Sequence, residues 1–430
     1  MPTSGIIYFV RKIPAWNLLS LLRDTNSMSN LYGVARHMLT HPETSSSRRF
    51  GSGDAQKRPE PLTRNVQSPK KASMRNASDL DNDVALTELE SETALSREST
   101  LSHASVSQPT RIPAYGVAIV NYKTYDDVRH CMASVKRQSH PPTSVVLVDA
   151  DSDDAQLESL LSEFPGLICE SRPNEGFASG ANRALARLHA ESSAIEFMLL
   201  MNPDVELAPD FCERMLDGMV RHPSAGLASG KLVRPGEVTI DSTGITLPRN
   251  RRPRDRGSEE LDVGQFEHDE HVFAASGAVL MLRTSALADL EIDGEIFDED
   301  FFMYHEDTDL AWRASKLGWQ SRYIHKACAI HTRRWRPHRR FEIEPRIRQH
   351  SFKNHYLQII KNDELRHFLR DLPIIFAWEV IRLGYAILKD RALLQGYAEV
   401  VRLAPRAFRK RRMIRARMKH LRISQIDPIN

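Results

Sequence analysis

Polar residues able to do chemistry stand at the carboxyl ends of several short apolar runs. Asn121 and Tyr122 follow VAIV, Asp149 and Asp151 follow VVLV, and Asn202-Pro203-Asp204 follows FMLLM. Brought together on one sheet edge, these groups would form a pocket for a nucleotide. Taken singly, a carboxylate in such a place can equally cap the next helix. Two further segments strengthen the pocket. In Asn174-Glu-Gly-Phe-Ala-Ser-Gly-Ala-Asn182, Gly176 and Gly180 let backbone pass close to a ligand, and the helix start that follows could face negative charge. The segment has neither GxGxxG nor GK[ST], so a dinucleotide fingerprint and a P-loop are not supported. In His305-Glu306-Asp307-Thr308-Asp309 a carboxylate pair opens a helical run to Lys316, where it either adds to the pocket or only complements the helix dipole.

The elements that must position these groups read as alternating strands and helices. Strands are expected at Tyr115–Tyr122, Ser144–Ala150, about Leu167–Ser171 and Phe197–Asn202. Helical spacing occurs after Tyr122, around Leu157–Phe164 and at Ala178–His189, with a further helix at Asp210–Arg221. This alternation predicts an α/β fold with a doubly wound sheet, its ligands at the carboxyl ends of the strands. A less regular stretch to about Asp269 contains RNRRPRDRGSEE and reads as a charged, solvated loop. Order returns through His271–Leu287, Phe297–Trp319 and the strand-like Ser321–His331, with Trp312 and Trp319 expected in the core.

Composition bounds the rest. At 430 residues, 41% hydrophobic and 27% charged, the chain has room for one large domain or two ordinary ones, and a collagen, coiled-coil or porin is excluded. The net charge of +3 names no partner. Four cysteines without CxxC spacing argue against a disulfide scaffold or a structural zinc site and fit a reducing compartment. Residues 1–40 read as an extension of uncertain role, with no signal peptide because Arg11 and Lys12 interrupt the apolar run. Residues 41–110 are rich in Ser, Thr, Pro and charge and read as a disordered linker. Beyond the 111–337 domain, residues 338–430 are expected to form a helical extension. Ile374, Trp378, Ile381, Tyr385 and Leu388 make one stripe, and a dense basic run occupies Pro405–Arg422. That combination suits an anionic membrane surface, and Glu379 and Arg382 make it a poor membrane span.

Between Gly116 and Arg336 the sequence resembles the inverting glycosyltransferases of family 2, which have the GT-A fold, and within them the rhamnosyltransferase-like branch. The resemblance rests on VAIVNY, VDADSDD, NEGFASGAN, NPD and FFMYHEDTDLAWR, in that order. It implies that Asp149 holds a uracil or thymine base, with Asn121, Tyr122 and Asp151 around it, and that Asn174, Gly176, Asn182 and Asn202 border the nucleotide and diphosphate. Asp204 stands where the family has its DxD motif and would bind Mg²⁺ or Mn²⁺, with His331 matching a late histidine that ligates metal in some relatives. Asn202 replaces the first aspartate of that motif, and an amide is the weaker ligand. Asp307, with Glu306 beside it, matches the catalytic carboxylate pair. An attacking hydroxyl must lose its proton, so one carboxylate as general base is required. Gly277 would leave room for acceptor sugar and Trp335 would stack on it, with Arg333, Arg334 and Arg336 near phosphate.

These expectations describe an enzyme that moves a sugar, L-rhamnose from dTDP-rhamnose or else the sugar of a UDP or GDP donor, to a glycan or lipid-linked acceptor. It would act at the cytoplasmic face of the cell membrane as a peripheral protein. The rivals are a sugar-1-phosphate nucleotidyltransferase, whose glycine-rich basic loop after the first strand this sequence lacks, and a basic binding protein. Binding to nucleic acid is not expected, because the basic tail has few aromatics for base stacking.

Overall fold

The computed structural model describes residues 111–236, 238–333 and 341–421. The expectations for residues 1–110, Arg334, Trp335 and Arg336 lie outside them.

The apolar runs form the strands their composition suggested. β1 (Tyr115–Tyr122), β2 (Ser144–Ala150) and β3 (Leu167–Arg172) alternate with α1 (Tyr125–Lys136), α2 (Asp154–Glu163) and α3 (Phe177–Glu191). β4 (Phe197–Met201) and β5 (Val205–Leu207) lead to α4 (Phe211–Arg221) and β6 (Ala225–Val233). The stretch read as a loop holds β7 (Ile240–Ser242), β8 (Ile245–Thr246) and β9 (Arg254–Asp255). Then come β10 (Glu270–Val272), β11 (Val279–Arg283), α5 (Thr284–Leu290), α6 (Glu306–Lys316) and β12 (Gln320–His331), followed by α7 (Pro345–Asn362), α8 (Leu365–Leu388) and α9 (Leu394–His420).

The main sheet runs β10-β12-β6-β11-β4-β1-β2-β3. Strands β3, β2, β1 and β4 are parallel, β11 lies antiparallel between β4 and β6, and β12 returns parallel to β6. Both faces are covered. Val117 and Ile119 of β1, with Leu199 and Met201 of β4, face the helices α1 and α4, whereas Ala118, Val120, Met198 and Leu200 face α3 and α6. A strand buried on both sides reads as an unbroken apolar run, so these strands were legible.

The arginine-rich segment is not a solvated loop. Arg251 is fully buried, its Nε 2.7 Å from Asp363 Oδ2 and its Nη1 2.7 Å from Asp371 Oδ2. Those acids lie more than a hundred residues away, where a local reading of charge does not reach.

The basic tail also has partners. Leu403 and Ala407 of α9 pack with Phe301 and Leu357, and Ile414 and Met418 join the core beneath the sheet. Lys410 is buried, 2.6 Å from Asp298 and 2.8 Å from Glu295. Arg406 meets Asp300, Arg409 meets Asp293, and Arg415 meets Glu364. These charges dock α9 on the catalytic domain, and the membrane assignment made for this run from sequence does not follow from them. Of the stripe expected on α8, Ile374 and Leu388 are exposed and Trp378, Ile381 and Tyr385 half-buried, while His367, Asp371, Ile375 and Ala386 point inward.

Candidate active site

The carboxyl ends of β1, β2 and β4 and the start of α6 meet at one edge of the sheet, and two backbone contacts join them. The Asn202 N–H donates to the Ala278 carbonyl at 2.9 Å, and the neighbouring Gly277 N–H donates to Asp307 Oδ2 at 3.0 Å. Asp307 therefore stands across a short span of backbone from the Asn202-Pro203-Asp204 turn. Tyr304 lies between, close enough to Glu306, Arg333 and Asp204 for their charges to act on its phenol, which burial first of all pushes up.

Asp307 is held by two backbone N–H groups, from Gly277 and from Thr308 at 2.7 Å. A Cβ on Gly277 would lie 2.9 Å from Asp307 Oδ2 and 3.0 Å from its Cβ. The small residue thus makes room for this carboxylate, a correction to its expected place beside acceptor sugar. Gly277→Ala should push Asp307 from its seat and lower kcat by about ten- to a hundredfold, since sub-ångström misplacement of a catalytic group is costly. The donor KM should change little. Steady-state kinetics with varied donor checks this.

Burial, opposed by those two N–H bonds, pushes the Asp307 carboxyl up to about 6. Burial and then the charge of Asp307 push Glu306 up to about 8. Glu306 is buried and its Oε2 has no hydrogen-bond partner. Burial disfavours two ionised carboxylates side by side, and Asp307, which accepts two N–H bonds, is the member better stabilised as the anion.

The turn leading into these carboxylates is strained. Phe302, Tyr304 and His305 have φ of 66°, 70° and 69°, a region that costs about 1–3 kcal/mol for a non-glycine residue. Helix α7 holds the turn in place. Asn354, fully buried, donates from Nδ2 to the carbonyls of Phe301, Met303 and Tyr304 at 2.9, 2.8 and 2.7 Å. Thr308 Oγ1 donates to Gln358 Oε1 at 2.8 Å. Sequence reading missed this brace; its one signal is the polar row Asn354, Gln358 and Lys361, spaced to share a face of α7.

The expected nucleotide-binding residues divide into two groups. Asn121 Nδ2 donates to Asp149 Oδ1 at 2.6 Å and the Tyr125 hydroxyl to Oδ2 at 2.8 Å, so both oxygens of the fully buried Asp149 are engaged behind the pocket. Tyr122 is 50% exposed beside them. Asp151, at φ 50°, accepts from the Asn174 N–H, tying the ends of β2 and β3 together. Asn174 in turn accepts from the Gly176 N–H.

Gly176 and Asn182 look elsewhere. A Cβ at Gly176 would lie 2.6 Å from the Phe302 ring, and one at Gly180 2.7 Å from Val120, so both glycines permit packing. Asn182 exchanges hydrogen bonds with the Phe297 backbone and reaches Glu299. The Ala178 N–H at the start of α3 donates to the Phe302 carbonyl. This face of the motif is filled by the chain itself, a correction to the diphosphate contact expected of Gly176 and Asn182.

Below the pocket, Asp204 Oδ1 lies 3.4 Å from His331 Nε2, and His331 Nδ1 lies 2.8 Å from Asp241 Oδ2. Arg333 joins Asp241 to Asp255. Burial opposes charge on His331, but the two carboxylates outweigh it and push the imidazole up to about 9. Asp241, fully buried, went unremarked in the sequence. Among the described residues no group of three or more His, Cys, Asp or Glu converges as a cation cage. Asp204 with Asn202 fits a hard divalent ion that takes its other ligands from diphosphate and water, and His331 would ligate it only as the neutral imidazole, after giving up the proton that Asp204 and Asp241 favour.

Residues 116–286 match the family model for glycosyl transferase family 2. Over 234 residues the chain is 29% identical to the N-acetylglucosaminyl-diphospho-decaprenol L-rhamnosyltransferase of Mycobacterium tuberculosis, covering 50% of this chain and 75% of that enzyme. It is 23% identical over 216 residues to a low-salt glycan biosynthesis hexosyltransferase of Haloferax volcanii, covering 49% and 64%. The solved structure of S. aureus TarS in complex with UDP-GlcNAc aligns at 16% identity and a TM-score of 0.45, covering 72% of this chain and 89% of that one. The family match ends before Glu306, so the roles of that pair rest on the geometry above. Residues 116–286 are thus similar to glycosyl transferase family 2, and this similarity supports a transferase over the nucleotidyltransferase and binding-protein rivals.

Proposed function

We propose that the protein transfers a hexose, L-rhamnose from dTDP-L-rhamnose, to a hydroxyl of a lipid-linked glycan with inversion at the anomeric carbon. The observation that carries this reading is the buried carboxylate of Asp307, seated by two N–H groups across from the Asn202–Asp204 turn. Asp307 takes the proton of the acceptor hydroxyl as it attacks. Tyr122 and Asp151 line the outer side of the base pocket, over the buried Asn121–Asp149 pair. His331 and Arg333 bring positive charge to the diphosphate end, where a departing nucleoside diphosphate gains negative charge. A divalent cation held by Asp204, beside Asn202 and His331, would supply further neutralisation of that leaving group.

The mycobacterial relative supports the donor and acceptor classes: its name specifies a rhamnosyl group and a diphospho-polyprenol carrying N-acetylglucosamine. A lipid-linked acceptor puts the reaction at a membrane surface, on the cytoplasmic side where nucleotide sugars are supplied. No helix among the described residues is long and apolar enough to cross a membrane.

The test offers purified protein dTDP-L-rhamnose, UDP-GlcNAc or GDP-mannose with a synthetic polyprenyl-diphospho-N-acetylglucosamine, with and without Mn²⁺. Release of dTDP together with a lipid product heavier by one deoxyhexose, in the inverted configuration by NMR, is the expected result. Release of pyrophosphate, or turnover with UDP- or GDP-sugar alone, would overturn the respective part of the proposal.

A further inference from the structure

The outward face of α8 carries a row of exposed apolar side chains along its length. From Leu365 to Arg391 every exposed position carries an apolar or a basic side chain, never an acidic one. Leu372, Phe376, Val380, Leu383 and Ile387 follow one another at helical spacing along a helix about 36 Å long. Phe376 is 67% exposed. The basic positions, Arg366 and Arg370 at one end and Lys389 and Arg391 at the other, bracket the apolar row.

The acids of this region turn inward. Asp371 is fully buried among Arg249, Arg251 and Arg370, which hold its carboxyl well below the usual range against the effect of burial. Glu379 bonds Tyr356 and pairs with Arg382. Water therefore meets an apolar ridge of α8 with a positive rim, the kind of exposed patch that marks an interaction surface.

We propose that this face of α8 lies in the headgroup region of an anionic lipid bilayer. Apolar side chains there enter the acyl boundary, and basic side chains at the ends reach phosphates. The charge pattern selects lipid over a second copy of the chain: two such faces packed about a twofold axis would set basic rims of the same sign together without an acid between them. The assignment keeps the anionic membrane surface expected from sequence and narrows it to the outward face of α8. On α9, Arg406, Arg409 and Arg415 pair with Asp300, Asp293 and Glu364 of the domain.

The surface lies close to the site. Arg249 and Arg251, which bind Asp371 of α8, belong to the segment whose Asp255 pairs with Arg333, and Arg252 sits 5.0 Å over the Trp378 ring. A bilayer against α8 would present lipid-borne acceptors near Asp307. That purpose rests on the proposed lipid-linked acceptor; the binding itself is measured without any acceptor, so the two can fail separately.

The experiment is flotation of the full chain with phosphatidylcholine vesicles containing or lacking 30% phosphatidylglycerol. The wild type should float with the anionic vesicles. Phe376→Glu with Leu383→Glu, both at exposed positions, should reduce the bound fraction at least tenfold with an unchanged melting temperature. Lys389→Ser with Arg391→Ser should reduce it severalfold and only on anionic vesicles, and Arg406→Ala with Arg409→Ala should leave it within twofold. Vesicle binding that survives the glutamates overturns the proposal. So does a wild type that fails to float, or one that forms a dimer which the glutamates dissociate in light scattering.

Discussion

Asp307→Asn is expected to lower kcat by about 10²- to 10⁴-fold, the range a general base contributes, while dTDP binding measured by calorimetry stays near the wild-type value. The substitution keeps shape and one acceptor oxygen for the Gly277 or Thr308 N–H, so the loss isolates the proton-accepting function. The pH profile supplies a second signature. With its carboxyl pushed up to about 6, Asp307 is protonated and inactive below that pH and ionised above it, so kcat/KM should fall on the acid side with a midpoint near 6. An ordinary surface aspartate would put the midpoint about two units lower. In the variant the residual rate should lose this limb. Wild-type turnover in Asp307→Asn, or an unchanged acid limb, would remove Asp307 from the reaction.

The same shift has a consequence for stability. Because the folded carboxyl lies above its unfolded value, burial of Asp307 works against folding once pH rises past the unfolded carboxylate range, and the effect is complete above about 6. Glu306 behaves likewise with an upper end near 8. The site is thus a place where the fold gives up stability to keep a carboxylate reactive, and the strained turn from Phe302 to His305 adds to that cost.

Local signals made the parallel half of the sheet readable. VAIV, VVLV and FMLLM are unbroken because both their faces are covered, and the polar residues that follow them cluster as sheet geometry demands. The HEDTD motif likewise announced a helix start carrying a carboxylate pair, and Asp307 of that pair accepts from the Gly277 N–H just before β11. What escaped was anything whose meaning depends on a distant partner. Arg251 looks solvated until Asp363 and Asp371 are folded against it. Gly277 looks like space for a ligand until Asp307 fills it. The arginines of α9 look like a membrane tail until Asp293 and Asp300 receive them. Asn182 and Gly176 sit inside a recognisable motif, yet their contacts are to the Phe297–Phe302 segment, which no spacing within the motif reports.

The largest stability loss should follow Lys361→Met. Lys361 is 1% exposed, its Nζ 2.7 Å from Asp309 Oδ2 and bonded also to Asp298, and it lies 5.1 Å from the centre of the Phe301 ring. It is the cation through which α7 grips both the base of α6 and the turn before it. Methionine nearly matches its volume, so packing is preserved, but two buried carboxylates lose a shared counter-charge. Asp309 keeps Asn362 and a more distant Arg313, and Asp298 keeps Lys410. Removing one member of a buried ionic cluster costs about 3–5 kcal/mol, mostly the desolvation of the charges left behind. For a domain of this size that lowers the urea midpoint by about 1–2 M without changing the slope. Asp309→Asn on top of Lys361→Met removes one of the orphaned charges while preserving the bond to Asn362, and should recover part of the loss. Such recovery is non-additive, which distinguishes an uncompensated charge from a simple packing defect. If instead the single variant unfolds at the wild-type midpoint, water reaches this cluster and α7 holds the catalytic helix by apolar contact alone.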